Sequence, residues 1–171
     1  MTNVAAMFPY GWFPLVADDV SEVEQEYDSP SSILARYLIT HLEAFTSPTD
    51  EDEWPLYDSV LPDFDDVEFD CAAVFDTTPV IDKKNMAGVY IINNGIQMRV
   101  RTSVYETGYR KLASVVVTLA KVHGVEVDMP GGQTYEIVNI SVASDAVFIG
   151  RDEKDRSHFT ANLLFKTKVV T

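Results

Sequence analysis

Five carboxylates crowd one short stretch of the chain, Asp63, Asp65, Asp66, Glu68 and Asp70. Carboxylates at that density are the raw material of a two-metal hydrolase site, in which paired cations clamp the attacking and leaving oxygens. No lysine or histidine complements them nearby, Pro55 and Pro62 give the stretch a loop character, and an EF-hand spacing with its central glycine is missing. The three histidines, His41, His123 and His158, show no paired ligand spacing, and no Gly-x-Ser-x-Gly elbow accompanies them. Gly131-Gly132 follows Pro130 and reads as a turn, and no phosphate-cradling or dinucleotide fingerprint occurs. Cys71, the single cysteine, lies in an apolar run and reads as a buried small residue rather than a nucleophile. These residues predict a protein that is not an enzyme and needs no cofactor or metal.

The elements that must position these side chains follow from periodicity. Ser29 and Pro30 are start signals for a helix whose apolar stripe is Ile33, Leu34, Tyr37, Leu38, Leu42 and Phe45. Cys71 to Phe75 suits a buried strand, and Pro79 to Met86 a connection. In Ile96 to Val100, Ile96, Met98 and Val100 face one way while Gln97, Arg99 and Arg101 face the other. Ser103 and Glu106 have capping-box spacing before a long helix with stripe residues Tyr105, Tyr109, Leu112, Val116 and Leu119. Two further strands are expected over Thr134 to Ala143 and His158 to Lys168, joined by a linker over Ser144 to Ser157. The prediction is an α+β domain over residues 29–171. It has about four strands in one sheet, the long helix on one face and the first helix nearby. Residues 1–28 read as an extended arm that carries Phe8, Tyr10, Trp12 and Phe13 among prolines, then a run of acids.

The net charge of −14 is unevenly spread. Residues 1–87 hold three bases against nineteen acids, a charge of −16, while residues 88–171 hold ten bases against eight acids. A chain this acidic is not expected to grip nucleic-acid phosphates. It has no apolar stretch long enough for a membrane helix and no secretory leader pattern, so a soluble protein folding in a reducing cytoplasm is expected.

The second half resembles a known family. The stretch Gly95-Ile96-Gln97-Met98-Arg99-Val100-Arg101, a helix opening near Tyr105, the turn Phe148-Ile149-Gly150-Arg151-Asp152-Glu153 and the strand Phe159 to Phe165 come in that order. They are similar to the minor capsid and tail-terminator proteins of tailed bacteriophages. Those carry a Gly-Val/Ile-Gln-Val/Ile-Arg-Val-Arg strand and a Leu-Gly-Arg-Asp-Glu-x-Gly-Arg turn. Lys154-Asp155-Arg156 stands where that turn has residue-Gly-Arg, so a differently shaped turn is expected. Leu56-Tyr57-Asp58 and Cys71 to Thr77 extend the similarity, which covers roughly residues 31–168.

The resemblance implies a structural virion protein, assembled in the host cytoplasm, that forms a ring, a hexamer in that family, at the head-proximal end of a tail. It would cap the tail tube protein and meet the head-connector or stopper protein, while DNA passes through unbound. A ring needs a heterologous interface that closes on itself. Candidate interface residues are Phe8, Tyr10, Trp12, Phe13, Arg99, Arg101, Arg151 and Asp152; the arginines, on a strand and a turn, are expected to be exposed. Asp50, Glu51, Asp52, Glu53, Asp63, Asp65 and Asp66 are candidates for an acidic lumen that repels phosphates. Two alternatives stay open: another neck component such as a head-completion or stopper protein, and an acidic adaptor that mimics nucleic acid and binds a basic host protein.

Overall fold

The computed structural model describes residues 28–48, 54–63, 70–84 and 90–170. Its elements, in chain order, are α1 (Pro30–Thr40), β1 (Leu56–Asp58), β2 (Cys71–Lys84), β3 (Tyr90–Thr102), α2 (Tyr105–Leu119), β4 (Val125–Asp128), β5 (Thr134–Arg151) and β6 (Ser157–Val169). The strands form one curled, half-barrel sheet in the order β1-β2-β3-β6-β5-β4. Only β1 runs parallel to its neighbour.

This corrects the expected fold. The sheet has six strands instead of about four, strands dominate, and both helices are short, 11 and 15 residues. The linker expected over Ser144 to Ser157 is mostly strand, because β5 continues to Arg151 and only a tight turn remains. Likewise β2 runs through the expected connection at Pro79 as far as Lys84.

One face of the sheet holds the core. Ile96, Met98 and Val100 of β3 and Phe159, Ala161, Leu163 and Phe165 of β6 are almost wholly buried. Ile33, Leu34 and Leu38 of α1 and Leu112, Val116 and Leu119 of α2 belong to the same core cluster. Burying one such side chain is worth about 1.5–3 kcal/mol. Helix α1 starts as expected: the Ser29 hydroxyl accepts from Ser32 N at 3.1 Å. Its first turn is also tied to the sheet, since Ser31 N and Oγ both donate to the Asp76 carboxylate of β2 at 2.9 Å. A carboxylate at a helix N-terminus offsets the positive end of the helix dipole. Helix α2 departs from expectation. Its N-cap is Val104 with no side-chain cap, and Ser103 N donates instead to Asp70. Tyr105 and Tyr109, expected in the buried stripe, are 42% and 44% exposed.

Asn93-Asn94-Gly95 has the composition of a turn, yet β3 passes straight through it. Gly95 pairs with Thr77 on β2, and a β-carbon there would lie 2.6 Å from the carbonyl oxygen of Thr78 as well as against the Thr77 hydroxyl. The glycine is needed for close backbone approach, not for a turn. Gly95→Ala is expected to cost about 2–3 kcal/mol, because the obstructing Thr78 atom is backbone and cannot rotate away. A urea melt that leaves the midpoint unchanged would contradict this.

Candidate functional site

The second face of the sheet is where charge collects. Alternation sends Arg101 of β3 to this face, and register places it between Cys71 of β2 and His158 of β6. Two loops close over this row: the segment after β1 that includes Pro62 and Asp63, and the turn from Asp152 to Arg156 between β5 and β6. Together they border a cleft of about 440 Å³ lined by Leu61, Asp63, Arg101, Asp152, Glu153, Lys154, Arg156 and His158.

The turn is built around Asp152. Its Oδ1 accepts the backbone N–H groups of Lys154 and Arg156, both at 3.0 Å, which closes the loop locally. Its Oδ2 accepts from Arg156 Nε at 2.7 Å and lies 3.1 Å from His158 Nε2. Burial alone would raise the Asp152 carboxyl, but these hydrogen bonds from His158, Arg156 and the turn backbone outweigh it and hold the group far below the usual carboxylate range. Asp155 sits at φ 59°, in the left-handed region that favours glycine. Aspartate tolerates that region better than most residues, so the turn closes without one.

Arg156 is only 3% exposed at its side chain, and Nη2 donates to Asp63 Oδ1 at 2.8 Å. Asp63 also receives Lys154 Nζ at 3.3 Å, and these donors, Arg156 first, lower its carboxyl. Loops 93 residues apart in the chain are thereby joined. Burial would depress the Arg156 guanidinium, but Asp63 and Asp152 raise it instead. Arg101 is buried at 2% and donates Nη1 to the Pro62 carbonyl at 2.6 Å. Asp63 is 4.0 Å from the same nitrogen. Cys71 beside it is fully buried; burial pushes the thiol up against the opposing pull of Arg101 and Arg156, so it stays protonated at neutral pH.

Of the sequence-predicted site residues, the structure thus joins Asp63, Arg101 and Asp152 around one cleft. Arg101 is buried, a correction to its expected exposure, because the loop that includes Pro62 and Asp63 covers a strand face that alternation alone assigns to water. Arg99 stays exposed, donates to Gln97 Oε1 and lies over the Phe75 ring at 5.0 Å. Arg151 is exposed and pairs with Asp155 at 2.8 Å. Phe8, Tyr10, Trp12, Phe13, Asp50, Glu51, Asp52, Glu53, Asp65 and Asp66 lie outside the described residues. Sequence reasoning missed Lys154, Arg156 and His158 as members of the cluster. The one available signal was the alternating charge of Arg151 to Arg156, which needs a tight turn to bring its ends together. Among the described residues, no group of three or more histidine, cysteine or acidic side chains is arranged to hold a metal ion.

A second surface lies on β5. Its outer neighbour β4 covers only Thr134 to Ile137, so among the described residues β5 pairs beyond Ile137 with β6 alone. The open edge from Val138 to Ile149 carries a single charge, Asp145, and no proline or lysine. Its far end is apolar: Val147, Phe148 and Ile149 are 48%, 41% and 53% exposed. Phe148 meets Tyr105 of α2 edge to face at 5.2 Å, and Tyr105 and Tyr109 both lean on the buried Phe159 ring. Four register shifts bend β5 along its length.

No protein-family model matches the chain, and no curated protein sequence matches it significantly.

Asp152→Asn keeps the shape but removes the charge that faces Arg156 and His158. We expect a loss of about 2–3 kcal/mol at pH 7, since a nearly buried guanidinium loses one of its two carboxylates. A carboxyl whose folded pKa lies below its unfolded value of about 3.9 stabilises fully above that value, and the contribution fades as pH falls below about 4. Thermal melts of wild type and D152N should therefore be well separated at pH 7 and converge progressively below pH 4. A separation that does not change with acidification would contradict the role given to Asp152.

Proposed function

We propose that the chain is a structural subunit that closes into a ring with copies of itself, in the manner of the phage tail terminators its second half resembles. It would cap a tail tube, meet a head connector or stopper, and let DNA pass through. The observation that carries the proposal is the edge of β5, which is uncovered among the described residues. Twelve strand residues span roughly 40 Å at the usual rise. An edge of that length with one charge is an invitation to pairing, and soluble proteins ordinarily blunt such edges with lysine, proline or a covering segment. Here the bends in β5 restrict pairing to a partner of matching curvature, while the exposed Val147, Phe148 and Ile149 supply apolar area at one end.

Closed cyclic assembly removes such an edge from water without open-ended growth. Exposed ion pairs are worth only about 0–1 kcal/mol each, so Arg99 and Arg151 would guide register and the apolar end would hold the contact. A stopper or head-completion role elsewhere in the neck would use the same edge with different neighbours.

The test is the solution mass by light scattering, alone and with purified tail tubes, for wild type and for Val147→Lys/Ile149→Lys. Wild type is expected as closed rings of about six copies, or as rings formed on tube ends. The double variant should stay folded and monomeric, because two charges cannot be buried in that contact without large cost. Wild type that remains monomeric under both conditions would contradict the proposal.

A further inference from the structure

Arg101 has unused capacity. Two of its nitrogens, Nε and Nη2, are buried without a hydrogen bond of good geometry, and the neutral Cys71 thiol that the guanidinium meets supplies no counter-charge. These two nitrogens lie along one edge of the guanidinium and present parallel N–H groups, spaced to meet two oxygens of a carboxylate or phosphate. The third nitrogen, Nη1, already ties down the Pro62 carbonyl, and tying down a loop needs only one donor. Asp63 and Asp152 are committed elsewhere. Asp63 lies 4.0 Å from Arg101, is 75% exposed, and is shared with Arg156 and Lys154. Asp152 serves Arg156, His158 and its own turn. A buried cation with an empty donor edge is expensive unless a counter-charge completes it.

Arg101 also lines the cleft of about 440 Å³, with Arg156, Lys154 and His158 on its other walls. That volume exceeds the need of a single acid group; Asp63, Asp152 and Glu153 share the walls with the bases, so the donor edge of Arg101 rather than a surplus of charge would select an anion. The geometry points to an oxyanion seat: a carboxylate or phosphate group enters between the Asp63 loop and the Asp152–Arg156 turn and takes the Nε–Nη2 edge of Arg101. Arg156 and Lys154 lie beside it, and Asp63 is the resident competitor. This site stands apart from the β5 edge and does not depend on ring formation.

The probes are inorganic phosphate and acetate, titrated separately into the full-length protein in a buffer free of other oxyanions. The readout is the Arg101 Nε–H resonance in ¹H–¹⁵N spectra, which reports the donor itself. A saturable shift with half-saturation of about 1–10 mM is expected. Saturation by phosphate alone assigns a phosphate ligand; saturation by acetate as well assigns a carboxylate side chain or terminus. Arg101→Lys keeps a charge but loses the two-pronged edge and should weaken binding at least about tenfold. Asp63→Asn, which removes the competitor at an exposed position, should tighten it several-fold and covers the case in which Arg101→Lys fails to fold. No saturable shift up to about 50 mM of either anion overturns the proposal. So does binding that survives intact in Arg101→Lys.

Discussion

The antiparallel pairing of β3 with β6 is the constraint on which the rest depends. In a single register, Val100 faces Phe159, Met98 faces Ala161 and Ile96 faces Leu163 on the helix side. The same register sends Arg101 and His158 side by side to the opposite face. Because side chains alternate with period two, a slip of one residue would bury Arg99 and Arg101 under the helices and expose the core row. Hydrophobic burial on one face therefore also positions the charged cluster on the other. The two helices pack where that apolar row is, and the loops close where the charges are.

The charged face is held by hydrogen bonds rather than apolar packing. Asp152 closes its own turn through two backbone N–H groups and spends its other oxygen on Arg156 and His158. Arg156 then reaches Asp63, so the turn between β5 and β6 and the loop after β1 are clamped to each other. Pairs as buried as Arg156 with Asp152 matter chiefly because removing one partner strands the other. The contrast with β5 is instructive. That strand has eighteen residues against four in β4, so its own sheet cannot satisfy its outer edge.

Much of the frame was legible in the sequence. The Ser29 cap, the α1 stripe from Ile33 to Leu38, the alternation of Ile96 to Arg101 and of Phe159 to Phe165, and the burial of Cys71 all follow from local pattern and agree with the structure. Leu42 and Phe45, expected in the same stripe, lie beyond the helix end at Thr40. What failed was long-range. Ser144 and Asp145 disguised the continuation of β5 as a linker; Ser144 pairs with Asn162 of β6, Asp145 lies in the irregularity that follows, and both are strand all the same. β4, only four residues long, shows its character only against β5. Tyr105 and Tyr109 have helical spacing, yet they stay partly exposed while their rings lean on Phe159 of the sheet. Arg101 looked solvent-facing because alternation names a face without saying what lies over it. The contact of Asp63 with Arg156 has no local signature at all.

Backbone amide hydrogen exchange along β5, followed as a function of protein concentration, tests most directly whether another copy covers its edge. Outward-pointing amides of Val138 to Ile149 should exchange quickly in dilute protein and become strongly protected as subunits associate. The amides bonded to β6 should stay protected throughout. Outward amides that exchange quickly at every concentration, with and without tail tubes, would contradict the account.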